Sequence, residues 1–481
     1  MIGASHCQTR SQLLNLSRFF SLWISSCIFL GAITFGFIPP VAALQPAYMV
    51  ADFPGDSNPR DLTAVGEMLY YEASGGLWKS DGTVPGTTLI VNFSDLSIVE
   101  FDEPTELNGI LLFEGYHSTQ YGHELWRSDG TAAGTVMVKD IDPSGHSYPT
   151  GLVNIRGTLY FVANDGSGEK LWKSDGTNAG TVLVSPSGGG LMPIDIIDLG
   201  SLILFFGYDA THGRELWKTD GTPAGTAMVA EINPSGDIGY YNETIYLTNV
   251  NGTAFFGAND GVHGIELWKS DGTESGTTLV KDVNPSASSS PQNLTDVDGT
   301  LFFTAYDGVH GLSPWKSDGS SEGTNLILDV NPSGDMAYYT EHVYFTNVQG
   351  TLFFTAKDGV HGWQLWKSDG TVQGTTIVQE INPTGSIVSG PGELTAVGDT
   401  LFFSIDDGIH GREPWISDGT IEGTRILQDI SPAGASYPRE FTVIGELVFF
   451  AAEDGTHGRE LWALSLSDLT GLSQNTWGDY R

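Results

Sequence analysis

The run Glu266-Leu267-Trp268-Lys269-Ser270-Asp271-Gly272-Thr273, followed by Gly276-Thr277, is the fullest copy of a phrase that recurs along almost the whole chain. Looser copies place their tryptophan at Trp78, Trp126, Trp172, Trp217, Trp315, Trp366, Trp415 and Trp462, so 45 to 51 residues separate each from the next. A fixed period in this range is the mark of a repeat architecture, in which each unit buries its apolar faces only against its neighbours. Features shared by every unit are therefore scaffold, and function is to be sought where the units differ.

One module shows the elements. Thr295-Asp296-Val297 is extended, and Asp298-Gly299 is a tight-turn dipeptide. The β-rich run Thr300-Leu301-Phe302-Phe303-Thr304-Ala305 follows, and Asp307-Gly308-Val309-His310-Gly311 turns the chain again. Trp315-Lys316-Ser317 is a third strand, Asp318-Gly319 opens a third turn, and a fourth strand is expected from Asn325 to Val330 before Asn331-Pro332 breaks it. No stretch beyond the N-terminal segment has a convincing helical period.

Four-stranded meanders at this spacing predict an all-β fold, a β-propeller whose blades pack radially and so bury both faces of each sheet. A stacked solenoid is the alternative, though its rungs repeat at shorter periods. The last module stops after Trp462-Ala463-Leu464-Ser465-Leu466, without a fourth strand. Met49-Val50-Ala51-Asp52 resembles the fourth-strand end Val280-Lys281-Asp282-Val283, so the N-terminal strand is expected to complete the last blade and remove an exposed edge. Nine modules are counted; eight blades remain an alternative if one module is absorbed.

Residues 1–43 read differently. They hold no acidic residue, carry Arg10 and Arg18, and run apolar from Phe19 to Ile38 before Pro39-Pro40-Val41-Ala42-Ala43. That layout is a secretory signal, with an uncleaved anchor or a lipidated Cys27 as alternatives. Residues 44–466 form the propeller, and 467–481 a short tail. Both cysteines, Cys7 and Cys27, fall in the leader, leaving no thiol chemistry to the remainder. A secreted or cell-surface protein is expected. The net charge of −37 excludes a nucleic-acid footprint, which needs a basic face, and favours solubility or the holding of hard cations. Membrane contact is expected only through the N-terminal segment.

The repeated phrase resembles the ELWxxDGT repeat family of exported bacterial proteins, over roughly residues 49 to 466. Pro314 and Pro414 depart from it, standing where leucine precedes the tryptophan. The resemblance implies an extracellular repeat protein and no particular activity. The spacing Ala305-x-Asp307-x-x-His310-Gly311-x-x-x-Trp315 is also similar to the tryptophan-docking motif of quinoprotein propellers, which has threonine where this chain has histidine. That resemblance implies an indole packed on the neighbouring blade and an aspartate fixing a turn. It does not place any quinoprotein cofactor residue.

Candidate chemistry follows from residue types. His212, His263, His310, His361, His410 and His457 each precede a tryptophan by five and belong to different modules. Each is expected to hydrogen-bond its own turn rather than share a metal. The aspartates three residues after the first eight repeat tryptophans, such as Asp271 and Asp318, suit tight-turn chemistry. Fourth-strand carboxylates at Asp140, Asp282, Asp329 and Asp429, with Glu231 and Glu380, are candidate calcium ligands at one end of the ring, needing further oxygens to complete a site. Two related inserts carry Tyr240-Tyr241 and Tyr338-Tyr339, candidate binding residues for a sugar or protein surface. No nucleophile elbow, phosphate loop or zinc motif stands out. The expected function is a noncatalytic propeller that binds a glycan or protein at the cell surface, stabilised by calcium. The alternative is a propeller enzyme: a quinoprotein-like oxidoreductase, or a polysaccharide hydrolase or lyase.

Overall fold

Alternating apolar residues and positive-φ turns make each module a meander. In blade 6 the strands Gln292–Val297, Thr300–Tyr306, Leu312–Ser317 and Asn325–Leu326 pair in sequence order, all antiparallel. The hairpin at Asp298-Gly299 has φ of 49° and 83°, the double left-handed geometry that an Asp-Gly pair tolerates. The computed structural model describes residues 47–53, 56–186, 190–239, 246–337, 343–382 and 390–470. These form nine four-stranded sheets. Blades 1 to 9 span 60–92, 98–139, 150–183, 194–230, 248–281, 292–326, 345–379, 392–426 and 439–465. The signal reading of residues 1–43 and the four insert tyrosines, Tyr240, Tyr241, Tyr338 and Tyr339, lie outside the described residues.

First strands touch first strands all round the ring, and that of blade 9 meets that of blade 1. They line the axis of a nine-bladed propeller, so the count of nine holds. Its closure is the expected one: Ala47–Ala51 pairs antiparallel with Arg459–Ser465, Ala47 opposite Leu464 and Met49 opposite Trp462. Ala47–Ala51 thereby becomes the fourth strand of blade 9.

Nearly every letter of the repeat has a task between blades. Trp315 packs with Phe303 of its own blade and with Val280 and Val283 from the fourth-strand end of blade 5, which is the docking role implied by the quinoprotein spacing. Each fully buried phenylalanine of this kind, Phe303 and Phe354 among them, contributes about 2–3 kcal/mol. The lysine after the tryptophan reaches forward. Lys269 Nζ donates to the Gly319 carbonyl at 2.7 Å, Lys218 to Gly272 at 2.9 Å and Lys367 to Gly419 at 2.7 Å. Inside the turn, Asp271 Oδ1 accepts from the Thr273 N–H and hydroxyl, and Ser270 Oγ meets Thr277 Oγ1 at 2.8 Å. A Cβ on Gly276 would lie 2.0 Å from Asp271 Oδ1, so the second glycine of the phrase is required by the first aspartate.

Two expectations need correction. The fourth strand foreseen from Asn325 to Val330 is regular only over Asn325–Leu326. Proline is the reason: Pro314 has no N–H, so it accepts from Ile327 N at 2.9 Å without the return bond. Pro414 does the same to blade 8, whose last strand is Arg425–Ile426. A short helix, Leu466–Thr470, also follows the last strand, where a featureless tail was expected.

The latch predicts a mutational contrast. Val50 is fully buried, whereas Val262 is 80% exposed. Val50→Asp places an unpaired charge under the closing strand and lowers unfolding free energy by about 3 kcal/mol. Val262→Asp leaves it unchanged, as denaturant melts will report.

Candidate functional site

Antiparallel order sorts the loops. The histidine turns and the connections from one blade to the next lie at one end of the ring, and the Asp-Gly-Thr turns at the other. At the histidine end each turn is self-contained. His263 Nδ1 sits 2.7 Å from Asp260 Oδ2, and His310 Nδ1 2.6 Å from Asp307 Oδ2, with the same pairing at His212, His361, His410 and His457. The carboxylate partner raises each imidazole above its ordinary value.

Beneath these turns the glutamate of the repeat is a buried clamp that was not singled out in the sequence. Glu266 is fully buried, and its carboxylate accepts from Val283 N at 2.8 Å, Ser289 N at 2.8 Å and Ser289 Oγ at 2.7 Å. Glu413 grips Ile430 and Ser436 in the same way, and Glu460 grips Ser57 near the chain start. In blade 7 the neutral Gln364 takes the position and accepts from Ile381 N at 3.3 Å. Burial pushes Glu124, Glu215 and Glu413 up to about 7, against the hydrogen bonds they receive.

The fourth-strand aspartates keep to separate blades. Asp140, Asp282, Asp329 and Asp429 each bury an Oδ1 that receives no hydrogen bond. Among the described residues no three His, Cys, Asp or Glu side chains converge as a metal site would require. A calcium ion at any of them would complete its six to eight oxygens with carbonyls and water.

The units differ most at the axis. Seven first strands carry a β-bulge whose leading residue has φ between 52° and 61°: Asp61, Glu103, Gly151, Asp195, Asn293, Glu393 and Glu440. By alignment on the following Leu-Thr-x-Val pattern, Tyr246 and Tyr344 hold this place in blades 5 and 7. The side chains stitch blade to blade. Glu440 Oε2 accepts from Leu62 N at 3.0 Å, Glu393 Oε2 from Glu440 N at 3.0 Å, and Glu103 Oε2 from Leu152 N at 3.1 Å. Arg60 pairs with Glu72 at 2.8 Å, and Arg412 donates to Ser404 and Gly390. Burial and the charge of Glu440 push Asp61 up to about 6.

Blade 2 breaks the pattern furthest. Its second strand carries Glu114, 5% exposed, where blade 6 has Thr304. Glu114 Oε1 lies 2.5 Å from His123 Nδ1, and Glu100 Oε2 is 3.8 Å from the same nitrogen. Tyr116 and Tyr148 both stack on the His123 ring, at 4.4 Å and 4.5 Å, and His146 adjoins Tyr148 at 5.2 Å. Burial, then the charges of Asp102, Glu100 and Glu103, push Glu114 up to about 8, while burial lowers His123. A carboxyl raised by burial beside a histidine is an arrangement that general acid catalysis uses. An alignment of the nine copies shows Glu114 and the bulge residues as variable columns, and that was the available signal.

No family model matches the chain, and no curated protein matches it. Among solved structures it is similar to a puromycin hydrolase at 15% identity and a TM-score of 0.40, covering 74% of this chain and 58% of that one. A puromycin-hydrolyzing peptidase of Mycobacterium tuberculosis is 11% identical, with a TM-score of 0.38, over 75% of this chain and 60% of that one. The propeller domain of the Trilobed protease from Pyrococcus furiosus is 10% identical, with a TM-score of 0.36, over 76% of this chain and 95% of that domain. Such likenesses say nothing of activity here.

The buried glutamates and the histidine turns set a pH dependence of one sign. Both have folded values raised above the unfolded ones, so their stabilisation is complete at lower pH and is lost as pH rises through the raised values. The turn aspartates, including Asp271 and Asp369, are held below the ordinary range by Thr273 and Thr371, so their contribution is lost only under strong acid. Thermal midpoints are expected to be higher at pH 6 than at pH 8 and to fall again below pH 4. Glu266→Gln, imitating Gln364, flattens the alkaline limb.

Proposed function

We propose that this protein is a noncatalytic binding propeller of the cell surface, related to the ELWxxDGT repeat proteins, and that its ligand is a glycan taken at the axial mouth of the histidine face. One observation carries the reading: the positions that vary most between otherwise uniform blades are the bulge residues around the axis. Glu393, Glu440, Asp61 and Glu103 stand in the consecutive blades 8, 9, 1 and 2, with Arg60 and Arg439 beside them. Carboxylates and guanidinium groups set together are bidentate partners for vicinal hydroxyls, and the aligned Tyr246 and Tyr344 add rings for sugar faces. The insert tyrosines Tyr240, Tyr241, Tyr338 and Tyr339 belong to connections that end on the same face. Export through residues 1–43 is part of the proposal, as is calcium at the orphaned aspartate oxygens.

The test is binding of the secreted form, residues 44–481, to immobilised polysaccharides. Glu440→Gln keeps the acceptor for Leu62 N and removes only the charge. The double variant Glu393→Gln/Glu440→Gln should therefore lose about tenfold in affinity with an unchanged thermal midpoint. Equal binding by the variant would sink the axial assignment. Millimolar calcium should raise the midpoint, and a chelator should reverse the rise. No shift would return Asp140, Asp282, Asp329 and Asp429 to purely structural roles.

A second reading, a polysaccharide hydrolase or lyase, is favoured by the Glu114–His123 pair alone. It requires bond cleavage that disappears in Glu114→Gln, measured as new reducing ends or unsaturated product. Absence of any product from the polysaccharides that bind would leave the noncatalytic reading standing.

A further inference from the structure

Around the axis four of the seven bulge side chains, those of Glu103, Asp195, Glu393 and Glu440, reach forward, and Gly151 has no side chain to do so. Glu103 of blade 2 clasps Leu152 N of blade 3, and Asp195 of blade 4 accepts from Leu247 N before blade 5. Between them blade 3 offers Gly151, with φ of 61° and nothing within 4 Å of where its Cβ would stand. Beside it, between the first strands of blades 3 and 4, lies an open groove with about 330 Å³ of free space. Leu152, Val162 and Ile196 are among its apolar walls, Thr150 supplies a hydroxyl, and Asp195 is the one ionisable residue lining it.

Among the described residues Asp195 has no ion-pair partner. Burial pushes its carboxyl up to about 6, opposed only by the Leu247 N–H, and no lysine or arginine acts on it. Arg214, on the same blade, donates instead to the Met192 carbonyl at 3.5 Å. Asp195 is half-buried, and a ligand cation that enters the groove and pairs with it offsets the cost of its partial desolvation. The walls demand that such a cation carry an apolar stem. The groove size is that of a small-molecule site with few convergent polar groups.

We propose that the groove beside Gly151 is a binding site for a primary ammonium group on a short aliphatic stem, with Asp195 as its counter-ion, Thr150 as its acceptor and the aliphatic walls around the stem. The ammonium can come from a free alkylamine or from a lysine side chain of a polypeptide. The site draws on the bulges of blades 3 and 4 and uses none of Glu393, Glu440, Asp61 and Glu103, so its test stands apart from that of the glycan reading.

Titrations of the whole protein at constant ionic strength decide the matter, using n-pentylamine, 1-pentanol and pentanoate, with methyl resonances of Leu152, Val162 and Ile196 as the local readout. Saturable shifts with pentylamine, and at least tenfold weaker effects from the alcohol and the acid, are expected. Gly151→Glu should abolish the shifts. Glutamate already occupies this backbone conformation at Glu103, Glu393 and Glu440, with φ of 52° to 59°, so that variant folds and places a carboxylate side chain across the groove floor. Asp195→Asn should reduce amine affinity at least tenfold; should it fail to fold, Gly151→Glu carries the test. Nα-acetyl-lysine methylamide binding more tightly than pentylamine marks a polypeptide source, and weaker binding marks a free amine. Equal response to alcohol and amine, or full amine binding by Gly151→Glu, overturns the proposal.

Discussion

Everything in this fold rests on contacts that pass from one blade to the next. A four-stranded sheet of this size cannot stand alone, because both faces are apolar. The indole of Trp315 reaches back onto Val280 and Val283 of the preceding blade, while the lysine of the same phrase reaches forward, as Lys269 does to Gly319. Blades 1, 2, 4, 5 and 7 thus hold two neighbours through adjacent residues of one strand. Stability is then a sum of nearest-neighbour terms, and the ring has no free end only because Ala47–Ala51 closes blade 9. The buried Glu460 fixes Ser57 beside that closure, so the repeat's own glutamate clamp also fastens the chain start.

This dependence explains what could be read from residues alone. Strand number, turn positions, the latch and the docking of the tryptophans were legible because each has a local chemical signature: Asp-Gly for hairpins, Asp-Gly-Thr with a second glycine for the long turn, a truncated last module for the latch. The histidine turns were legible for the same reason, since His310 and Asp307 are three residues apart and meet directly. The axial bulges were not. Their leading residues share no type, running from glycine to glutamate to tyrosine, and only the paired register of first and second strands reveals that Asp61, Gly151 and Glu440 hold equivalent places. The Glu114–His123 contact was hidden because it joins neighbouring strands through residues that look like ordinary repeat variants. The groove beside Gly151 was hidden because a single glycine among 62 carries no signal by itself.

Near-identical blades also separate two demands that other proteins meet with the same residues. The Asp-Gly-Thr face is nearly invariant, and its turn aspartates are satisfied within their own loops, as Asp271 is by Thr273. The histidine face receives all the variation: Pro for Leu at two sites, Gln for Glu at Gln364, extra length in two connections, and the aromatic stack around His123. The inter-blade bonds of lysine and glycine lie at the opposite end, while the histidine face is held by Glu103, Glu393 and Glu440 from blade to blade and by the buried glutamate clamps beneath its turns.

The axis adds a physical limit to what that recognition can be. Glu393, Glu440 and Glu103 each spend one carboxylate oxygen on a neighbouring backbone N–H, so they are oriented before any ligand arrives. Oriented acceptors bind with little loss of rotamer entropy, which suits hydroxyl-rich ligands whose individual hydrogen bonds are weak. The same anchoring ties ligand contact to blade spacing. A ligand that draws on Glu440 also loads the bond to Leu62 N, and therefore the seam at which the N-terminal strand completes the ring. Under the proposed glycan reading, binding at the mouth would therefore load the axial contact between blades 9 and 1, whereas the seam between blades 3 and 4 carries no such clasp.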